Sequence, residues 1–351
     1  MNQGFTYKAS YWERTSFFQK ADITIVGSGI VGLSAALSLK ERQPGLRVVV
    51  VEKGPLPIGA STRNAGFACF GSMTELLEDL EGQPEAAVWE LVERRWRGLR
   101  YLRERLGDEA LRYREWGGYE LFREEEEGAF RQCVDRMEHF NVQLAAITGV
   151  PEVFRVVDER VATFGLRQIQ HLICNTAEGQ IDTGRMMAGL LHLAKANNIP
   201  VWTGMPIEAI EVLPNEVRLE TSYGFSLQSE QVLVATNGFS QELLPDLGLQ
   251  PARNQVLITH PIEGLKIEGC FHYDRGYYYF RNIDGRILLG GGRHLAKAEE
   301  TTTSFAQTER IQQKLVELLH TVIHPEAQVE SWWSGILGVG PSKSPILKRV
   351  S

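Results

Sequence analysis

The sequence has no run of the roughly 20 apolar residues that a membrane-spanning helix requires. Its first stretch, Met1 to Lys20, contains no apolar signal core. Cysteine is scarce: Cys69, Cys133, Cys174 and Cys270 are scattered through 351 residues with no close-spaced pair. That argues against a disulfide framework or a zinc site and predicts buried free thiols in a cytoplasmic protein with no metal. Nor is there an excess of positive charge. Lys and Arg number 37 against 44 Asp and Glu, a net charge of −7, whereas a dedicated nucleic-acid binder would show a basic face. The run Arg94, Arg95, Arg97, Arg100, Arg103 and Arg105 is interleaved with Glu90, Glu93 and Glu104. It reads as the ion-paired outer face of a helix. No repeat and no low-complexity segment interrupts the chain, and its length suggests two domains.

What is present begins at Ala21. Ile23 to Val26 is a short β-branched run that reads as a buried parallel strand. It leads into Gly27-Ser28-Gly29-Ile30-Val31-Gly32, and then into a helix marked by Leu33, Ala36, Leu37 and Leu39 and stopped by Pro44-Gly45. A second strand, Arg47 to Val51, ends on Glu52 and Lys53. Gly27 permits the tight turn, Gly29 admits a pyrophosphate to the backbone, and Gly32 lets helix and strand pack closely. The helix N-terminus offers unpaired amides to phosphates. Glu52, about twenty residues past Gly32, is placed to accept hydrogen bonds from a ribose diol and would repel a 2′-phosphate. The unit therefore predicts a Rossmann-type domain holding FAD or NAD, not NADP.

The loop Gly59-Ala60-Ser61-Thr62-Arg63-Asn64-Ala65-Gly66 favours FAD. Its small residues can lie along a pyrophosphate and approach an isoalloxazine, and Arg63 can offset charge. The dinucleotide motif also starts close to the N-terminus, with no catalytic domain ahead of it. The loop holds no histidine or cysteine for covalent attachment, so noncovalent FAD is expected.

Together, Gly27 to Gly32, Glu52-Lys53 and the Gly59-to-Gly66 loop resemble the FAD-dependent oxidoreductases of the D-amino acid oxidase superfamily. This group includes glycine oxidases, sarcosine oxidases and D-amino acid dehydrogenases. Ser10-Tyr11-Trp12 is similar to the gamma-glutamylputrescine oxidase branch. Further segments resemble the family: Gly179 to Asp182 with the helix from Thr183 to Ala196, the strand Asn198 to Val201, and Gln231 to Gly238. So do Tyr277 to Arg281 with Asp284 to Gly291, Trp332 to Gly335, and Pro345 to Leu347. A variable stretch from about Leu76 to Val161 interrupts the match.

The resemblance implies that Ile207, on the strand Pro206 to Ile210, meets the adenine side, and that Ala235, Thr236, Asn237 and Gly238 close around the dinucleotide. It implies an α/β fold: a discontinuous FAD-binding domain (20–85, 162–245 and 325–351), an N-terminal arm (1–19), and an α+β substrate domain (86–161 and 246–324). The substrate domain is expected to be a mostly antiparallel sheet laid over the flavin. Family members usually carry a further few dozen residues, with a glycine-rich loop beside the flavin and a final helix, whereas this sequence stops at Ser351: either it is truncated or the protein lacks that wall of the flavin pocket. Family members that oxidise amino acids tend to carry an arginine in the W-x-G region. Gly335 to Gly340 has none, which turns the expectation toward an amine or N-substituted substrate.

The expected reaction is oxidation of a C–N bond by hydride transfer to flavin, followed by imine hydrolysis. Electrons then pass to oxygen or another acceptor. Readings of a different kind are a dehydrogenase subunit serving a partner and a truncated FAD-binding protein without turnover. Strand alternation puts Tyr277 and Tyr279 on one face, either able to cap the substrate. Arg281 can hold an acidic group, and Lys343 can sit near the flavin. His260, Trp332 and Trp333 read as structural. The helix 86–106 is expected to bury Leu91, Leu99 and Leu102.

Overall fold

The computed structural model describes residues 7–340 and 344–350. The chain opens with β1 (Ala21–Val26), α1 (Ile30–Arg42) and β2 (Val48–Val51). It continues through β3 (Phe67–Ala68), α2 (Met73–Gly82), α3 (Glu85–Leu106), α4 (Asp108–Leu111), β4 (Gly118–Phe122) and α5 (Glu127–Thr148). Next come β5 (Phe154–Val156), α6 (Arg160–Phe164), β6 (His171–Asn175) and β7 (Gly179–Gln180). Then follow α7 (Thr183–Ala196), β8 (Val201–Trp202), β9 (Ile207–Val212), β10 (Val217–Thr221) and β11 (Ser226–Val234). The last elements are β12 (Gln250–Thr259), β13 (Cys270–Tyr273), β14 (Tyr278–Ile283), β15 (Arg286–Gly291), α8 (Glu309–Leu318) and β16 (Val329–Val339).

Two compact units result. The first comprises Met1–Arg63, Gly184–Ala252 and Ile336–Ser351, and the second comprises Asn64–Thr183 and Arg253–Gly335. The domain limits read from the sequence differ from these in four segments. Residues 246–252 group with the first unit, and residues 64–85, 162–183 and 325–335 group with the second. The reason is pairing: α2 packs on α5 and α3, β6 is hydrogen-bonded to β4 and β5, and β16 lies beside β12.

The first unit holds a six-stranded sheet in the order β8-β2-β1-β11-β10-β9. Around β1 the pairing is parallel, with β2 on one side and β11 on the other. All four valines of β2 are buried, as a parallel strand covered on both faces requires. The predicted strand Asn198 to Val201 shrinks to β8, because Asn198 adopts a left-handed turn conformation (φ 54°).

The second unit holds an eight-stranded sheet in the order β16-β12-β15-β14-β13-β4-β6-β5. From β12 to β5 it is antiparallel except where β13 runs parallel to β4. Asp284 and Gly285, both at positive φ, join β14 to β15 by the two-residue turn whose twist suits a hairpin. Register sorts the side chains to two faces. Phe271, Phe280, Leu289 and Leu257 share one, packed with Ile311, Leu315 and Leu318 of α8. These helix residues recur at the spacing of a single helical stripe. His272, Glu120, Tyr279 and Arg281 take positions on the other face.

Two expectations fail in this unit. Helix α3 buries Val88, Trp89 and Val92, while Leu91, Leu99 and Leu102 are only half-buried. Tyr277 precedes β14, so alternation does not carry it onto the face of Tyr279. Its N–H bonds to Asp274 O within a turn, its side chain is half-exposed, and its ring lies 4.4 Å from that of His294. No described helix is long and apolar enough to cross a membrane.

Candidate functional site

The first unit builds a cradle at the C-terminal end of β1. Gly27 sits at φ +106°, and a Cβ there would stand 2.6 Å from Ala235 O. A Cβ on Gly32 would stand 1.9 Å from Gly27 O. These two glycines are therefore dictated by close backbone approach. Leu33 N–H closes the first turn of α1 onto Gly29 O, so the amides of Ile30, Val31 and Gly32 lie ahead of the first intrahelical bond. Ile30 N–H donates to Ser61 Oγ at 2.9 Å, which fastens the Gly59-to-Gly66 loop to the helix start. The Val31 side chain is exposed.

Glu52 is buried at the end of β2. Its Oε2 accepts from Ser28 N–H (3.1 Å) and Ser28 Oγ–H (2.7 Å), and its Oε1 from Gly54 N–H (3.0 Å). A carboxylate has about four acceptor positions, so capacity for a diol remains. Lys53 turns away to Glu242 (3.1 Å) and lies over the Phe239 ring. Ala235 N–H continues β1 by bonding to Val26 O. Thr236 Oγ1 lies 3.1 Å from Ser240 Oγ, Asn237 Oδ1 accepts from Gly338 N–H, and Gly238 gives way to Leu337 O. Ile207 heads the edge strand β9. Gly204 and Met205 just before it bond to the backbone of Gly54 and Glu52, so its segment runs beside the acid. Within the loop, Thr62 Oγ1 donates to Pro57 O and Arg63 Nε to Ile58 O. Ala60 starts the short 3-10 turn that carries Ser61.

The rest of that loop folds with the second unit. Asn64 Oδ1 accepts from Gly66 N–H (2.8 Å) and Thr183 Oγ1–H (3.1 Å), and Ala65 is buried against Val256 and Leu288. Gly66 sits at φ +73°, where a Cβ would meet Ile181 O at 2.4 Å and Arg281 Nη2 at 2.9 Å.

On the polar sheet face, Arg281 is 2% exposed. Its Nε has no hydrogen-bond partner, and no ion pair holds it among the described residues. Burial pulls its pKa below the ordinary value, opposed by Cys270, Asp182 and Asp284. Tyr279, two residues before it, has its hydroxyl pushed up to about 12 by burial and packs edge-on to Phe67. His272 lies directly across from Tyr279. It is buried, its Nε2 has no partner, and burial pulls its pKa down against the opposing pull of Glu75.

Two buried carboxyls complete this region. Glu120 accepts from Ser72 Oγ–H, Thr74 Oγ1–H and Thr74 N–H at the start of α2. Glu178 accepts from Phe70 N–H and Gly71 N–H. Burial raises them to about 7 and about 8 respectively, against those hydrogen bonds.

The structure thus groups Gly27 to Gly32, Glu52, Ser61 and Ala235 to Gly238 in one unit, and Asn64 to Gly66, Tyr279 and Arg281 in the other. Tyr277 stands apart from them, and Lys343 lies outside the described residues. His272, Glu120 and Glu178 escaped the sequence reading. Their only signal is a polar residue at an inward position of an apolar run, as in Phe271-His272-Tyr273 and Tyr119-Glu120-Leu121. No group of three or more His, Cys, Asp or Glu among the described residues could hold a metal.

The cradle fits a dinucleotide: two of its glycines stand where a Cβ would collide with backbone, and the first-turn amides of Val31 and Gly32 open beside them. Comparison with known proteins agrees. The profile of the FAD dependent oxidoreductase family matches residues 22–351. A probable oxidoreductase, OrdL, of Rhizobium meliloti (strain 1021) is 24% identical over 361 residues, covering 98% of this chain and 80% of that protein. Among solved structures, iminodiacetate oxidase from Chelativorans sp. BNC1 has a TM-score of 0.71 at 20% identity, covering 93% of this chain and 86% of the other. Glycine oxidase from Geobacillus kaustophilus has a TM-score of 0.70 at 19% identity (93% and 85% covered). L-proline dehydrogenase from P. horikoshii has a TM-score of 0.69 at 18% identity (95% and 85% covered). These likenesses show a shared fold, and the family match across nearly the whole sequence shows that the chain belongs to the FAD-dependent oxidoreductases of the D-amino acid oxidase family.

Proposed function

We propose that the protein oxidises the C–N bond of a small amine that carries a carboxylate, with hydrolysis of the resulting imine by water. FAD, when bound, supplies the two-electron acceptor, and oxygen or another acceptor takes the electrons afterwards. The chain's own residues bind, orient and shield. The amides of Val31 and Gly32 hold the pyrophosphate with Ser28, Ser61 and the Ala235-to-Gly238 turn, and Glu52 shares its free acceptor positions with the ribose.

The observation that carries the reading is Arg281, a buried guanidinium that no carboxylate pairs with among the described residues. Such a group is costly unless an anion meets it, and a substrate carboxylate is that anion. Tyr279, held neutral, donates a hydrogen bond beside it. Arg281 thereby takes the part of the arginine missing from Gly335 to Gly340. Glycine, proline and iminodiacetate, named by the similar structures, are all amines bearing a carboxylate.

The test is an absorption spectrum of the FAD-loaded protein before and after anaerobic addition of glycine, L-proline, iminodiacetate or butylamine. Bleaching by one of the acids and not by butylamine is the expected result. Bleaching by none of them overturns the reading.

A further inference from the structure

We propose that His272 and Glu120 form a proton exit from the substrate face: His272 Nε2 takes the proton that the substrate ammonium carries in, and Glu120 passes it to water. This rests on the reading above, that the face bearing Tyr279 and Arg281 receives the amine. An amine resembling a lysine side chain, with a pKa of about 10.4, arrives protonated at neutral pH. It can give up hydride only from its neutral form, so a proton must leave a buried place.

Three observations define the way out. First, His272 Nε2 is buried and has no hydrogen-bond partner, on the strand position facing Tyr279. An orphaned buried nitrogen marks a place where another polar group belongs. Second, β13 and β4 are paired in parallel with His272 directly beside Glu120. Neighbouring strands lie about 4.8 Å apart at the backbone, so the two side chains leave adjacent positions on the same face of the sheet. Third, Glu120 and its partner Thr74 line an open cleft of about 400 Å³, with Glu126, Asp274 and Tyr277 on its walls. Glu120 is therefore buried beside the imidazole yet borders solvent-accessible space.

The proton is conserved at each transfer. The substrate N–H bond breaks, its electron pair stays on nitrogen, and the Nε2 lone pair takes the proton. The imidazolium then yields a proton to the ionised Glu120 carboxylate, and a water or buffer base in the cleft removes it. With the proton received and yielded at the same nitrogen, Nε2, both side chains end as they began. The groups facing this pair are Glu75 of α2, Glu178 ahead of β7, Cys133 of α5, and Tyr279 and Arg281 of β14. The burial that holds His272 neutral and brings Glu120 to about 7 suits an acceptor and a relay working near neutrality. His272 touches the substrate. Glu120 acts through His272 as a positioning and relay residue.

The test follows anaerobic bleaching, by whichever of the four compounds above is active, in FAD-loaded wild type, His272→Gln and Glu120→Gln. In His272→Gln the bleaching rate constant falls on the order of 100-fold at neutral pH. It recovers near pH ~10, where solution itself deprotonates the amine. In Glu120→Gln the rate recovers likewise, and at neutral pH proton release to phenol red lags behind bleaching. A loss that is equal at every pH, or an unchanged profile, overturns the proposal. If no compound bleaches the flavin, the functional reading fails, and a second measurement still decides this one. The NMR midpoint of the His272 imidazole must move in Glu120→Gln, and an unmoved midpoint removes the route.

Discussion

A guanidinium taken out of water costs several kcal/mol unless an anion joins it. At Arg281 that cost is present before any ligand arrives, and a carboxylate that docks there relieves it. Truncating one partner of a buried charge pair typically loses 2 to 5 kcal/mol or more, and about 1.4 kcal/mol is tenfold. Arg281→Met is therefore expected to raise the Kd of an acidic substrate by about 30-fold or more, measured by anaerobic spectral titration. Butylamine binding, which needs no anchor, should be unaltered, and equal losses for both would remove Arg281 from the carboxylate. Glu178 meets burial as an acid. Its folded pKa of about 8 lies above the ordinary 4.5, so the folded chain keeps a proton that the unfolded chain gives up. Its contribution to stability is complete below the ordinary value and is lost as pH rises through about 8. Glu178→Gln keeps an oxygen for Phe70 and Gly71 N–H, and should flatten the fall in Tm across that window. Parallel melting curves for the two proteins would refute this. Residues of this kind were hidden in the sequence. Gly27 and Gly32 were legible because backbone geometry alone demands them, whereas the depth of His272, Glu120 and Glu178 depends on strands that neighbour theirs only after folding.

Elements were legible where their pattern is local. The β1–α1–β2 unit announces itself through a β-branched run, a glycine turn and a helical stripe. The β14–β15 hairpin does so through Asp284-Gly285. Strand β13 was missed because four residues, Cys270 to Tyr273, are too few to display a period, and its parallel partner β4 lies about 150 residues away in a segment with no motif. The stripe of α3 was misjudged for a related reason: its arginines and leucines leave several faces open, and only the packing of α2 and α5 selects Val88, Trp89 and Val92. One element is held by charge rather than pattern. Arg253 of β12 donates from Nε and Nη2 to Glu300 (2.9 and 2.8 Å), and Gln255 and Thr308 also donate to that carboxylate. Both ends of the ion pair are buried. Removing one member strands the other, so Glu300→Ala should lower the unfolding free energy by about 3 to 5 kcal/mol, read from urea denaturation. A loss below about 1 kcal/mol, the value of an exposed pair, would show that water reaches the site.

At the scale of the whole molecule, the family and cofactor were legible from short motifs, while the limits of the two units were not. The chain passes between them at 63/64, 183/184, 252/253 and 335/336. Composition shows no linker at these points, because each crossing falls within a helix, strand or packed loop. The same interleaving governs how the protein is made. Strand β1 pairs in register with β11 across 208 residues, and Ala235 is the residue that closes against Gly27. At synthesis rates of about 5 to 20 residues per second, the nascent chain waits roughly 10 to 40 s with β1 lacking that neighbour. During this interval a β-branched edge lies open to chaperones and to other chains. On the proposed cradle, a chain stalled before Ala235 clears the ribosome is expected to take up no FAD.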